Sequence, residues 1–382
     1  MPGSAAGPVP GEGGGFPEHP TATALGPWPG ADPVEAAKVS LGIFPGPNLP
    51  FLPQLPARGV GSDATGRTAA LLLELPVDVQ PYGWRFVDRP GLDVRRAESA
   101  LSTDINVLAD VVGSGGLAPE ALKVQAQGPF SLAAAIHLHY GERSLRDHGA
   151  RRDIAQSLAA GLAVHALKVQ AAVPGTELVL QIDEPHMGAV LAGTIPTASG
   201  YRTLRSVPRA EVRQAWTDLV AAARGAGFAK VALNLAPADS SLGSPADGAA
   251  HSSAEAEAAQ WRTALEAALE SGIDAVALPL GMLDGGHWEM LAGAVESGLG
   301  IWAGTVPAGT GQAGGAGAPP PYADLVERIM RPWGKLGLDT AGLNQLRITP
   351  EGTLSGLSPQ QARAVLARSL EVADALADIR TR

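Results

Sequence analysis

The chain has no cysteine among its 382 residues, which excludes disulfides, thiolate metal ligands and a cysteine nucleophile together. Aromatic residues make up only 4% of it, so its core is filled by small aliphatic side chains. Lys and Arg number 28 against 38 Asp and Glu, a formal net charge of −10. The basic residues are scattered and leave no electropositive footprint for nucleic acid. No run reaches the roughly 18 consecutive apolar residues of a membrane span, and the start of the chain lacks a basic stretch followed by an apolar one. The expectation is a soluble, cytoplasmic protein that binds a small molecule, with neither nucleic acid nor membrane as partner. Its oligomeric state is left open.

What is present is a 45% hydrophobic chain with mean hydropathy +0.08, enough for a substantial core. Its length suits one large barrel with insertions or two ordinary domains. Residues 1–20, rich in Pro and Gly, read as a disordered leader, and 21–382 as the folded unit. Low-complexity loops fall near 238–253 and 308–321. Asp32-Pro-Val-Glu35 and Ser358-Pro-Gln-Gln361 carry helix-start spacing, and Ser252-Ser-Ala-Glu255 carries it again. Apolar strands alternate with helical stretches: 121–129 precedes a helix over 130–139, a long helix over 149–173 precedes 178–185, and 230–236, 275–280, 300–305 and 345–350 follow in the same rhythm. With a short strand near Thr21 and the apolar stretch 68–80, about eight strand–helix units result, which predicts a single (β/α)8 TIM-type barrel. The runner-up is an open α/β sheet. No Gly-x-Gly-x-x-Gly or Walker loop stands in the right context for a nucleotide fold.

A barrel gathers its chemistry at the carboxyl ends of its strands. Those ends supply Trp28, Asp78 or Gln80, Gln125, Gln127, Asp183 or Glu184, Asn234, Thr305 and Thr349. The most informative is Leu178-Val-Leu-Gln-Ile-Asp-Glu-Pro185, an apolar strand that terminates in two carboxylates. Adjacent side chains alternate faces, so one acid points into the pocket and the other toward helices or loop. Adjacent carboxylates cannot flank one glycosidic bond, which excludes that chemistry. Trp28 and Trp84 are read either as stacking platforms for a flat ligand or as packing residues. Of the eight histidines, His186 directly follows Asp-Glu-Pro and is the leading rim candidate. His137 and His139 lie in a stretch read as helix, where i and i+2 diverge. His251 falls in a low-complexity loop, and His287 at a helix start.

Gln181-Ile-Asp-Glu-Pro185 resembles the strand-end motif of the cobalamin-independent methionine synthase family, in particular its catalytic C-terminal barrel and short actinobacterial-style forms. Leu25-Gly-Pro-Trp-Pro-Gly30, Leu55-Pro-Ala-Arg-Gly-Val-Gly-Ser-Asp63 with Gly66-Arg-Thr68, Gln80-Pro-Tyr-Gly-Trp84, Lys123-Val-Gln-Ala-Gln-Gly-Pro129 and Val190-Leu-Ala-Gly-Thr-Ile-Pro-Thr197 resemble family segments in the same order. The likeness spans roughly residues 21–380. It implies a barrel that moves a methyl group from methyltetrahydrofolate to homocysteine sulfur in methionine biosynthesis, with zinc holding the substrate as thiolate. It also implies that Asp183 receives the amino group of the amino acid and that the loop Gly26–Pro29 holds its carboxylate end. Glu184, Gln125, Gln127, Trp84 and His186 complete the expected binding set.

The implied zinc ligands do not carry over. The family's His-x-Cys falls on Asn234-Leu-Ala236. Its glutamate falls after Leu278-Pro279, where no carboxylate follows until Asp284. Its last cysteine falls on Gly352, and its opening serine on Pro27. Asn, Ala and Gly make no tetrahedral nitrogen–sulfur site, so no cofactor is expected. Two functions therefore stand beside each other: a methionine synthase-like methyltransferase, and a zinc-less, catalytically altered barrel that binds an amino-acid-like or pterin-like ligand. A weaker third is a uroporphyrinogen decarboxylase-like barrel, which needs no zinc.

Overall fold

The computed structural model describes residues 16–237, 250–308 and 319–381, with backbone only for 250–255. The expectations for residues 1–15, for the loops over 238–249 and 309–318, for His251 and for the Ser252 cap lie outside these.

Nine strands occur among the described residues: β1 (Thr21–Ala22), β2 (Val77–Gln80), β3 (Gly83–Phe86), β4 (Ala121–Gln127), β5 (Glu177–Asp183), β6 (Phe228–Asn234), β7 (Ala275–Pro279), β8 (Gly300–Val306) and β9 (Leu346–Pro350). The helices are α1 (Pro33–Ile43), α2 (Ala64–Ala69), α3 (Leu92–Gly115), α4 (Pro129–Ala135), α5 (His148–Ala172), α6 (Met187–Ala192), α7 (Arg209–Gly225), α8 (Ala250–Leu269), α9 (Gly285–Glu296), α10 (Tyr322–Lys335) and α11 (Pro359–Arg380). Local chemistry sets several starts. Asp32 accepts from Val34 N and Glu35 N with Pro33 in the first turn, and Ser358 and Gln361 close a reciprocal capping box on α11. The helix expected over 130–139 stops at Ala135.

Seven strands form one parallel sheet in the order β1-β9-β8-β7-β6-β5-β4. Both of its edges hydrogen-bond to the same extended segment, residues 49–54. Leu49 N donates to Ala22 O at 3.0 Å and Gln54 N to Gly26 O at 3.0 Å on the β1 side. Leu52 N donates to Lys123 O at 2.9 Å, and Lys123 N to Pro50 O at 2.9 Å, on the β4 side. Edges that meet one segment require a sheet curled round on itself.

The stretch 68–80, counted as a strand of this sheet from the sequence, is instead the end of α2, a turn, and the antiparallel β2–β3 hairpin, a separate two-stranded sheet. Asp78 and Gln80 therefore leave the rim set. Asp78 Oδ1 accepts from Asp93 N at 3.0 Å, at the start of α3, and Gln80 Nε2 donates to the Val79 carbonyl.

Two cores result from strand alternation. Leu122, Val124, Leu178, Leu180, Ile182, Val231, Leu233, Val276 and Ile301 face the helices in the larger core. Leu25, Leu49, Val179, Ala232, Ala275, Ala277 and Trp302 form a second one on the concave face.

Candidate functional site

The concave face carries an uninterrupted polar chain. Pairing aligns Gln127 of β4, Asp183 of β5 and Asn234 of β6 at one level, with Gln125 and Gln181 one layer below. Lys123, in phase with both glutamines, is fully buried beneath them. Its Nζ donates to Gln181 Oε1 at 2.6 Å. Gln181 Nε2 in turn donates to Asp183 Oδ1 at 2.7 Å and to Leu25 O at 2.8 Å. Asn234 Nδ2 donates to the same Asp183 Oδ1 at 2.7 Å. The ammonium also lies 5.4 Å from the Phe51 ring and 5.7 Å from the Trp302 ring, so two of its faces meet π clouds rather than water.

Electrostatics follow from burial. Desolvation pushes Asp183 up to about 6, although Asn234, Gln181 and Lys123 all favour the carboxylate. Desolvation pulls Lys123 down to about 7, opposed by Asp183 and reinforced by the Arg347 charge. Both groups therefore sit close to their titration points near neutral pH. Asp183 Oδ1 is fully occupied by two amide donors, whereas Oδ2 takes no hydrogen bond from the described residues. Asp183 is half-buried, so that oxygen is the acceptor the site offers at its opening.

Glu184 points the other way. It is buried, and Phe130 N (3.2 Å), Ser131 N (2.7 Å) and Trp216 Nε1 (3.1 Å) donate to its carboxylate. It caps α4 and ties α7 to the sheet, which removes it from the binding set. Burial raises it above the usual carboxylate range, countered by Ser131, Trp216 and Phe130.

The remaining expected residues divide. Gly26 has φ +121°, and a Cβ there would come within 2.7 Å of Gln125 Cδ; its bareness makes room for that amide. Gln125 Nε2 donates to Leu52 O at 2.5 Å, and its Oε1 is buried without a partner. Gln127 Oε1 accepts from Thr65 Oγ1 at 2.9 Å, which holds it to α2. Trp28 and Trp84 are buried in the larger core, so both are packing residues and not stacking platforms. His186 is half-buried at the start of α6, its backbone N 3.3 Å from Ser131 Oγ. Burial and then Arg143 pull it down to about 4, leaving a neutral imidazole at pH 7. His137 forms bridges to Arg85 and Arg143 rather than lying on a helix, and His139 is exposed. Thr305 Oγ1 donates to the Ala303 carbonyl within its own strand, and Thr349 is buried at the end of β9.

Lys123, Gln181, Arg347 and Gln54 were not singled out from the sequence. A signal existed for two of them: Lys123 and Gln181 share the period-two phase of Gln125 and Asp183.

A zinc ion does not fit the positions that the resemblance assigns to it. Asn234 spends its Nδ2 on Asp183, and its Oδ1 accepts from Ala236 N at 3.0 Å. Ala236, Pro279 and Gly352 carry no donor side chain. Asp284 is paired with His287 in the capping box of α9. Among the described residues no group of three or more His, Asp or Glu side chains could hold a metal ion. Among them, too, no helix is long and apolar enough to cross a membrane.

No family model and no curated protein matches the chain. Among solved structures it is similar to a B12-independent methionine synthase from Shewanella sp. W3-18-1 in complex with selenomethionine. That match has 14% identity and a TM-score of 0.48, and covers 78% of this chain and 71% of the other. It is also similar to a methyltransferase from Methanosarcina mazei, at 10% identity and TM-score 0.47, covering 93% of this chain and 94% of the other. At such identity and overlap, the architecture rests on the chain's own hydrogen bonds.

Proposed function

We propose that the curled sheet is a (β/α)8 barrel, with residues 49–54 as its eighth stave, and that its carboxyl-end mouth binds a small amine-bearing molecule of the amino-acid class. The observation that carries this is the division of labour on Asp183. One carboxylate oxygen is fixed by Gln181 and Asn234, and the other has no partner at the opening. Two amide donors hold the carboxylate in one orientation before any ligand arrives, which lowers the ordering cost of binding an ammonium. Gln54 Nε2 and Gln125 Oε1 are buried without partners. A methyl transfer that runs through zinc-bound thiolate is not part of this reading, because its ligand positions hold Asn234, Ala236 and Gly352.

Thermal-shift screening of amino acids and primary amines against their amine-free analogues, followed by calorimetric titration of the hits, tests it. Amine-bearing compounds should dominate the hits. Asp183→Asn should weaken them at least about tenfold, or ~1.4 kcal/mol. Hits that bind Asp183→Asn as tightly as the native protein would overturn the assignment.

A further inference from the structure

At the opposite, amino-terminal end of the barrel lies a positive charge with no counterion among the described residues. Arg347 of β9 pairs in register with Thr21 of β1 and Trp302 of β8. Its Nε donates to Thr21 Oγ1 at 2.9 Å, and the guanidinium stands 5.5 Å from the Trp302 ring centre. Neither terminal nitrogen meets a carboxylate or carbonyl of the described residues. Burial draws the group down to about 10, so it stays charged at any physiological pH.

Glu177, exposed on β5, acts on Lys230, and the other acids nearby are spoken for. Asp274 accepts from Arg224 at 3.0 Å and from Val231 N at 2.7 Å, and Asp183 is pinned in the layers above. Lys123 and Lys230 both feel the Arg347 charge as a repulsion. A half-buried guanidinium without an acid beside it keeps its charge and leaves its terminal donors to be met from the solvent side.

Arg347 lines a small recess of about 30 Å3, open on one side to solvent, together with Thr21, Lys230, Asn344 and Gln345. The Phe16 ring stands at its edge, 5.3 Å from Lys230 Nζ. Gln345 contributes a buried Oε1 that has no hydrogen-bond partner. The cavity thus presents a two-pronged donor, a second cation and an orphaned acceptor.

We propose that this recess binds a small oxyanion that still carries a hydroxyl, of the hydrogen phosphate or bicarbonate class. Its oxygens take the two terminal nitrogens of Arg347 in the fork geometry that a guanidinium favours, Lys230 stands beside it, and its O–H donates to Gln345 Oε1. The site lies at the barrel end remote from Asp183, so it supports the fold and is independent of what the mouth binds.

The test is the melting temperature of the full chain in gluconate buffer at fixed pH and ionic strength, titrated with sodium phosphate or bicarbonate. A saturable rise of about 3–5 °C is expected near a hundredfold excess over Kd, and calorimetry should give one phosphate per chain. Sulfate, which has no hydroxyl at this pH, should act at least about tenfold more weakly for want of the bond to Gln345. Arg347→Met should abolish the response. Should that variant not fold, Arg347→Lys, which keeps the charge without the fork, should weaken the apparent phosphate affinity by about tenfold or more. Equal melting temperatures in phosphate and gluconate, or an undiminished response in the Arg347 variants, would overturn the site.

Discussion

Asp183 and Glu184 are neighbours in sequence and belong to different environments. The pleat sends Asp183 to the concave face and Glu184 into the helix layer, where three N–H groups receive it. The proposed use of Asp183 has a pH signature. Its folded pKa is raised to about 6, so the carboxylate that an ammonium needs is present above that pH and lost below it. Affinity for an amine ligand should therefore fall about tenfold per unit of pH below 6, measured by calorimetry from pH 7 down to pH 5. A flat profile would show that a different group holds the amine. Lys123 carries the opposite lesson for stability. The unfolded chain keeps its proton to the ordinary lysine value of 10.5, and the folded chain only to about 7. Over that window the unfolded state binds more protons, so this residue makes stability rise with pH. Lys123→Met should remove that rise, visible as a smaller gain in urea midpoint between pH 7 and pH 9.5. The presence of an acid at the strand end was legible in the sequence, but which of two acids faces the opening was not, because phase depends on which side of the strand is covered. Trp28 and Trp84 were ambiguous for the same reason: an indole serves equally as core or platform until its neighbours are known.

At the scale of elements, the long parallel strands and their helices follow from apolar runs and caps, and their bounds agree with local chemistry to within a few residues. The segment 49–54 is where local reading failed. Residues 49–54 contain Pro50 and Pro53, which have no N–H to give to a ladder, so the segment has the composition of a loop. It is nevertheless extended, because Leu49, Leu52 and Gln54 alternate their N–H groups between the two edges of the sheet. The β2–β3 hairpin shows the converse: its apolar residues look like a strand of the large sheet, yet they pair with each other and with the bridge at His137. Close packing between elements also reverses an ordinary propensity. Replacing a mid-helix glycine by alanine usually stabilises by about 0.5–1 kcal/mol. In α5, a Cβ on Gly161 would come within 1.8 Å of the Leu71 carbonyl oxygen. Gly161→Ala should instead destabilise by about 2 kcal/mol or more, read from urea denaturation, because backbone would have to move. A stabilised variant would mean that the contact between α5 and the turn after α2 is looser than this.

Taken whole, the molecule is a curled parallel sheet with an apolar outer core, a mixed inner core and a polar chain running from Lys123 to Asp183. The donor set around its opening consists of amides and one carboxylate. Protein dialysed against buffer should accordingly hold well under one zinc per chain by metal analysis, and should not methylate homocysteine from methyltetrahydrofolate with added zinc. One firmly bound zinc, or turnover, would contradict the reading of Asn234, Ala236 and Gly352. The sequence by itself determined the alternating strand–helix architecture, the lack of any cysteine thiolate and the acid at the end of β5, since each is written in residue type and spacing along a single element. The tertiary structure decided which acid faces the concave side, that Lys123 is buried inside the sheet with Arg347 half-buried at its far end, and that a proline-rich segment joins its edges. Those outcomes depend on register between strands distant in sequence, which brings Asn234 to Asp183 and Thr21 to Arg347 across 51 and 326 residues.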